Sequence, residues 1–220
     1  MINADLVLTS DGSHTLFSSA IEECYHSTHG AIQESRHIFI EAGFKQTEKL
    51  ELNVLEIGFG TGLNAFLTLL EVEVSTRKVR YTSLELYPVA VETALQLNYP
   101  EELAIDKRPS FELMQRSPWN IFTDIRPNLS LLKVKADYTN YTFSEKYDLV
   151  YFDAFSPDKQ PEMWTEERFK ILYEHCNPGA ILTTYCSKGV VRRAMQAAGF
   201  TVERLEGPPG KRQILRAVKQ

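Results

Sequence analysis

A chain of 220 residues, 43% of them hydrophobic, is long enough for one α/β domain with a substantial core and leaves little room for a second. The net charge of −5 argues mildly against nucleic acid as a partner, and three scattered cysteines (Cys24, Cys176 and Cys186) form neither a disulfide framework nor a zinc spacing. No apolar run approaches the ~18 residues of a membrane span, the start "MINADLVLTSDGSHT" lacks a signal-peptide pattern, and no repeat or low-complexity tract is found, so a cytoplasmic enzyme is the expectation.

Residues 1–49 read as an N-terminal extension, with a short hairpin near "HTLFS" and a helix near 31–42. Residues 50–220 alternate between strands and helices. "LNVLEI" (52–57) is a strand that runs into a glycine-rich turn, and "LNAFLTLLEV" (63–72) is the helix after it. "VRYTSLEL" (79–86) is a strand, and "PVAVETALQLN" (88–98) a helix with Pro88 at its first position. Strands follow at 129–137 and 147–153. The amphipathic pattern of 161–176 predicts one helix with Trp164, Phe169, Leu172 and Tyr173 on one face. A strand over 179–186 precedes a helix from Gly189 that stops at Gly199. "FTVERLEG" and "RQILRAVK" close the chain as an antiparallel pair. This alternation predicts a Rossmann-like α/β fold, a mostly parallel sheet covered on both faces.

The turn "LEIGFGTGLN" (55–64) sits between a strand and a helix, the context a nucleotide loop requires. Its glycines are Gly58, Gly60 and Gly62, and Leu63 occupies the position where a dinucleotide fingerprint wants a small residue. E-x-G-x-G-x-G is the form seen at S-adenosylmethionine loops. Close backbone approach is what the glycines allow, and no phosphate-binding Lys is present. Glu85 ends the next strand, 27 residues beyond Gly58, where a carboxylate can accept both ribose hydroxyls. Asp137, after the third strand, could accept from an adenine amino group.

Two further features call for an explanation. "DAFSPDKQPEMW" (153–164) puts a carboxylate, an aromatic and two prolines directly behind the apolar run "YDLVYF", at the strand end where open sheets present their chemistry. Charge is also unevenly spread. Residues 1–100 hold 6 Lys and Arg against 13 Asp and Glu, whereas 187–220 hold 8 against 2. A basic end of this kind marks an anionic partner or a solvated tail.

On these motifs the chain resembles a family: the methyltransferase half of the bifunctional bacterial tRNA wobble-uridine enzyme MnmC and its stand-alone relatives, MnmD. The likeness runs through "DGSHTLFS", "YHSTHGAIQESRHIFIEAG", "LEIGFGTGLNAFLTL", "FDAFSPDKQPEMWT", "SKGVVRRAMQAAGF" and "GPPGKRQILRA". With no flavin oxidase segment following, it is the stand-alone form that the chain resembles. The resemblance implies a class I methyltransferase fold. It also implies transfer of a methyl group from S-adenosylmethionine to the amine of 5-aminomethyl-(2-thio)uridine at the tRNA wobble position. An alkylamine has a pKa near ~10 and must lose a proton before it attacks. Asp153 is the candidate to orient the ammonium and relay that proton. Phe155 and Pro157 are candidates for a platform beside the base, with Trp164 divided between that role and core packing. Donor-binding candidates are Glu56, Gly58, Gly60, Gly62, Asn64, Glu85 and Asp137, with Tyr25, Gln33 and Glu34 closing over the donor's methionine end or the substrate. Lys188, Arg192, Arg193, Lys211 and Arg212 would meet phosphates of the anticodon stem-loop. His26, His29 and His37 cluster in sequence but lack the other ligands of a metal site, and none is expected.

Two other readings stay open. An aminopropyltransferase of the spermidine synthase type shares the sheet, the loop and a strand-end Asp, with Asp158 and Glu162 as its further acids. A non-catalytic protein that binds an adenosyl ligand is the other; the intact Asp153 and glycine loop speak against it.

Overall fold

A computed structural model describes residues 4–220. Its centre is an eight-stranded sheet in the order β10-β11-β9-β8-β4-β5-β7-β6. In chain order these strands are β4 (Glu51–Ile57), β5 (Lys78–Glu85), β6 (Thr123–Arg126), β7 (Leu129–Lys135), β8 (Tyr147–Phe152), β9 (Cys176–Thr184), β10 (Thr201–Glu206) and β11 (Gln213–Val218). β4 lies between β5 and β8, parallel to both, and β7 and β9 extend the parallel set. β6 and the β10–β11 hairpin close the two edges in antiparallel pairing. All six residues of β8 are buried, the near-continuous apolar run expected of a strand covered on both faces. These pairings make a Rossmann-like α/β sheet, mostly parallel with antiparallel edges.

Register then decides what meets at the strand tips. Ile57 pairs with Leu84 on one side and Phe152 on the other, and Tyr151 pairs with Thr183. Residues 58, 85 and 153 therefore emerge side by side, with residue 185 next to 153. Gly58 N–H donates to Leu84 O at 2.9 Å and Asp153 N–H to Ile57 O at 3.0 Å, which fixes that alignment.

One face of the sheet is covered by α1 (Ala31–Ser35), which runs on as a π-helical turn to Glu41, with α2 (Leu63–Glu73) and α5 (Arg108–Arg116). Phe39, Phe66, Tyr81, Phe111 and Tyr151 make a single core there. The other face takes α6 (Glu166–Glu174) and α7 (Gly189–Ala197), packing Phe169, Leu172, Val191 and Met195 on Phe152 and Leu182. The N-terminal segment is a small antiparallel sheet of β1 (Ala4–Leu8), β2 (His14–Ser18) and β3 (Glu23–Cys24). Leu16, Ile38 and Phe44 join the core of the first face, and the parallel strands begin with β4 at Glu51. Among the described residues no helix is long and apolar enough to cross a membrane.

Three expectations need correction. The helix over 88–98 shrinks to α3, Val91–Ala94, with Pro88 outside it. Pro100 cannot donate to a continuing helix, and Asn98 is engaged elsewhere. It accepts from His14 N–H at 2.7 Å and donates to Gly12 O at 2.9 Å, which ties this bend to the N-terminal sheet. The predicted helix 161–176 breaks at Thr165, whose hydroxyl caps α6 through Arg168 N–H after a 3-10 turn over Pro161–Trp164. Its last residue, Cys176, already belongs to β9. Finally, α4 (Tyr99–Leu103), α5 and β6 were not anticipated. The buried apolar positions of α5, Phe111 and Met114, are too few to announce it.

Candidate active site

The tips of β4, β5, β7, β8 and β9 open on a cavity of about 310 Å³, roofed by residues 23–28 and bordered by Lys211 from the β10–β11 loop. At its loop end Gly58 has φ +95°, and a Cβ there would lie 2.6 Å from Asp153 O, so only glycine lets the turn pass the β8 tip. Gly60, at φ +49°, lies under the ring of Tyr25, which a Cβ would approach to 2.9 Å. Gly60 N–H donates to Glu85 Oε2 at 3.0 Å and Tyr87 N–H to Glu85 Oε1 at 2.8 Å. Burial still raises the Glu85 carboxyl above its ordinary value, so these donors do not fully offset its desolvation. A ligand that brings hydroxyl donors to Glu85 supplies what is missing. Asp137 also lines the cavity, but its carboxylate already accepts from Thr139 N–H at 2.8 Å and Thr139 Oγ1 at 2.7 Å, capping the turn that follows.

At the other end, Asp153 lines the cavity with one face and is crowded by protein on the others. Burial pushes its carboxyl up to about 7. The hydrogen bond from Asn64 Nδ2 to Oδ2, 2.8 Å long, and the charge of Lys211 work against that rise, and Glu34 adds to it. Oδ1 is left for a ligand. Glu34 is buried, accepts Ser27 N–H at 2.8 Å and pairs with Lys211 Nζ at 3.3 Å. The Lys211 ammonium also sits 4.8 Å from the centre of the Tyr185 ring. Tyr25 and Phe155 pack edge to face with centroids 5.0 Å apart.

The 153–164 loop is held at three points. Trp164 Nε1–H donates to Phe155 O at 2.9 Å, Tyr185 Oη–H to Ala154 O at 2.9 Å, and both Ser156 N–H and Oγ donate to Glu23 Oε2 at 3.1 Å. Trp164 is a core residue that props this loop from beneath and does not face the cavity.

The cavity thus gathers Tyr25, Glu34, Gly58, Gly60, Glu85, Asp137, Asp153, Phe155 and Lys211 from the sequence-predicted set. It does not gather Glu56, Gly62, Asn64, Gln33, Pro157, Lys188, Arg192 or Arg212. Glu56 and Asn64 are buried beneath the floor, because alternate residues of β4 and the inward face of α2 point into the core. Gln33 is exposed on the far side of α1, where its N–H donates to Asp11 at 3.0 Å. Lys188 is paired with Asp158 on the surface, and Arg212 is exposed. Lys211 is the surprise of this group: it is a cavity wall and not a surface anchor. The three histidines diverge. His26 meets Thr61 Oγ1 at 2.7 Å and is pulled down to about 4 by burial, His29 packs beside Gly210, and His37 bonds Glu206 O at 2.8 Å. Sequence reasoning missed Glu23 and Tyr185. Tyr185 carried a signal, since it follows directly on β9, the strand beside the one that delivers Asp153; Glu23, in the N-terminal hairpin, carried none.

The lining fits S-adenosylmethionine in charge and in shape. Glu23, Glu34, Glu85, Asp137 and Asp153 face it against Lys211 alone among the described Lys and Arg, a balance that favours a cationic sulfonium and repels phosphates. The glycine turn leaves backbone open to close approach, and Glu85 retains capacity to accept from hydroxyls.

Residues 91–220 match the model of a family described as S-adenosyl-L-methionine-dependent methyltransferase. Among solved structures, MNMC2 from Aquifex aeolicus is 28% identical with a TM-score of 0.82, over 100% of this chain and 71% of that one. Spermidine synthase from Thermotoga maritima is 13% identical with a TM-score of 0.57, over 100% and 72%. DesVI from Streptomyces venezuelae is 14% identical with a TM-score of 0.50, over 86% and 92%. The last two likenesses are likenesses of fold.

Proposed function

The chain belongs to the S-adenosyl-L-methionine-dependent methyltransferase family, and from that premise we infer that it methylates the amine of 5-aminomethyl-(2-thio)uridine at the wobble position of tRNA. The likeness to MNMC2 across the whole chain and the motif resemblance both support the substrate. The observation that carries the chemistry is Asp153: a carboxylate with a free oxygen, beside the glycine turn, in a cavity rich in acids.

When bound, S-adenosylmethionine supplies an electrophilic methyl group on a positively charged sulfur. Gly58, Gly60 and Glu85 hold it at the loop end. An incoming ammonium is drawn to Asp153 Oδ1 by charge and hydrogen bonding, with Glu34 behind it and Phe155 and Tyr25 to the side. Burial raises the Asp153 carboxyl to about 7, which makes it a stronger base than an ordinary carboxylate for the ammonium proton at Oδ1. The Tyr25–Phe155 pair and the roof formed by 23–28 exclude water and limit the amine to a narrow approach. Lys188, Arg192 and Arg212 lie outside the cavity, where an RNA backbone would pass.

Aminopropyl transfer loses support here, because Asp158 and Glu162 both lie outside the cavity. Labelled-methyl transfer to tRNA carrying aminomethyl uridine, compared with putrescine, tests the assignment. Transfer to tRNA with formation of methylaminomethyl uridine is expected. Loss of the gene should leave aminomethyl uridine to accumulate in cellular tRNA, seen by nucleoside mass spectrometry, and unchanged tRNA would overturn the reading.

A further inference from the structure

Beneath the floor of the cavity, Glu56 on β4 is fully buried. Its Oε2 accepts Ser83 Oγ–H at 2.7 Å. Its Oε1 has no hydrogen-bond partner, and neither do Asn64 Oδ1 and Tyr81 Oη, the polar atoms of the two other side chains that face it. Three orphaned atoms in one place are costly, since each forfeits its hydration without return. Beyond Ser83 and Tyr81 on β5 and Asn64 on α2, the groups around it are Tyr151 on β8 and the carboxylate of Asp153. Among the described residues no Lys or Arg forms an ion pair with Glu56. An ionised Glu56 would be an unpaired buried charge next to a second carboxylate.

A single proton on Glu56 Oε1, donated to Asn64 Oδ1, gives both of these acceptors a partner and removes the buried charge. The amide of Asn64 is then fixed with Nδ2 toward Asp153 Oδ2, the orientation observed at 2.8 Å. We propose that Glu56 is a positioning residue that works in its neutral form, donating to Asn64 so that Asn64 in turn donates to Asp153. The inference deepens the acceptor-side role given to Asp153 and rests on that role for its effect on rate. The neutral state of Glu56 stands independently. Burial, which pushes Glu56 up to about 8, agrees with it. Turned the other way, Asn64 would offer Asp153 a carbonyl, which favours the protonated acid and takes away the base.

Two measurements test this. An NMR titration of protein labelled at its glutamate carboxyls should show one resonance that stays in its protonated position through neutral pH and is absent in E56Q. If E56Q does not fold, Ser83→Ala identifies the same resonance by displacing it. The second measurement is the pH dependence of single-turnover methyl transfer. Glu56→Leu removes the donor, so the limb that reports Asp153 should move up by roughly half a pH unit or more. E56Q restores a donor without adding charge and should leave that limb in place, whatever it does to the rate. A Glu56 that titrates in the ordinary carboxylate range overturns the proposal. So does an E56Q limb that moves down, because removing a real negative charge makes Asp153 more acidic. If no limb belongs to Asp153, its assignment as the base fails, and the titration alone decides the state of Glu56.

Discussion

The end of the cavity we assign to the donor is made by consecutive strand tips, Gly58–Gly60 after β4, Glu85 ending β5 and Asp137 after β7, whereas the end we assign to the acceptor gathers Glu23, Tyr25 and Glu34 from the N-terminal segment, Asp153 and Phe155 after β8, Tyr185 after β9 and Lys211 from a hairpin loop. The first is a property of the sheet. Parallel register alone delivers those residues to one place. The second is assembled across the fold by cross-links such as Ser156 to Glu23 and Lys211 to Glu34. The sheet is the part of the molecule that the fold-level likeness to spermidine synthase covers.

The sharpest way to break this comparison is to disable one end and ask whether the other notices. Asp153→Asn keeps shape and removes the base. Single-turnover methyl transfer should fall by about 10²–10⁴-fold, while donor affinity measured by calorimetry stays within a few-fold. In the native enzyme the rate should climb as pH rises through about 7, because Asp153 must be a carboxylate to take the proton. In D153N the defect should shrink at higher pH as free amine becomes abundant. A near-native rate at neutral pH would remove Asp153 from the mechanism and leave Tyr25 or Glu34 as the acceptor-side group.

The converse change is Glu85→Ala. Donor affinity should weaken by roughly 1.5–3 kcal/mol, the scale of hydrogen bonds to a charged group, while tRNA affinity is unaffected. Calorimetry should also show no NAD binding by the native protein. An unchanged donor dissociation constant would mean that Glu85 serves only its backbone partners, Gly60 and Tyr87.

How much of this was legible in the sequence follows the same division. The glycine turn, Glu85 and Asp153 could be read because each sits at the end of an apolar strand, and strand ends have fixed consequences in a parallel sheet. Glu56 and Asn64 belong to the same motif but face inward, and a motif does not say which side of the loop a side chain takes. Lys211 looked like part of a basic tail. Its place in the cavity depends on how the β10–β11 hairpin folds over α1, a long-range contact that charge counting cannot contain. Helix 88–98 failed for a related reason: Asn98 is held by the N-terminal sheet some 84 residues earlier in the chain.

Glu56 offers a test at the level of stability. An acid whose folded pKa exceeds its unfolded one binds its proton more tightly when folded, so its contribution is greatest at low pH. For Glu56 that contribution should drain away between its ordinary 4.5 and about 8, at up to about 1.4 kcal/mol per pH unit. E56Q carries no titration there. The stability difference between native protein and E56Q, followed by denaturant unfolding, should therefore shift in favour of E56Q as pH rises across this window. A difference independent of pH would mean that Glu56 titrates alike in both states.

The smallest expected effect separates two neighbours at the basic end. Lys211 and Arg212 are adjacent in sequence, yet Lys211 faces the cavity in a pair with Glu34, and Arg212 is exposed outside it. If an RNA backbone passes over this hairpin, Arg212→Ala removes one phosphate contact. tRNA affinity should fall by a few-fold, and the slope of log affinity against log salt should lessen by about one. Donor binding and the rate at saturating tRNA should not change. Lys211→Ala leaves Glu34 without its ion pair beside Asp153, so its loss should appear in the rate and its pH dependence, with the salt slope little altered. Arg212→Ala with an unchanged salt slope would place the RNA elsewhere and return the basic end to a solvated surface. If instead Lys211→Ala alone flattens the slope, the phosphate path runs through the mouth of the cavity itself, and the two ends are not as separable as their construction suggests.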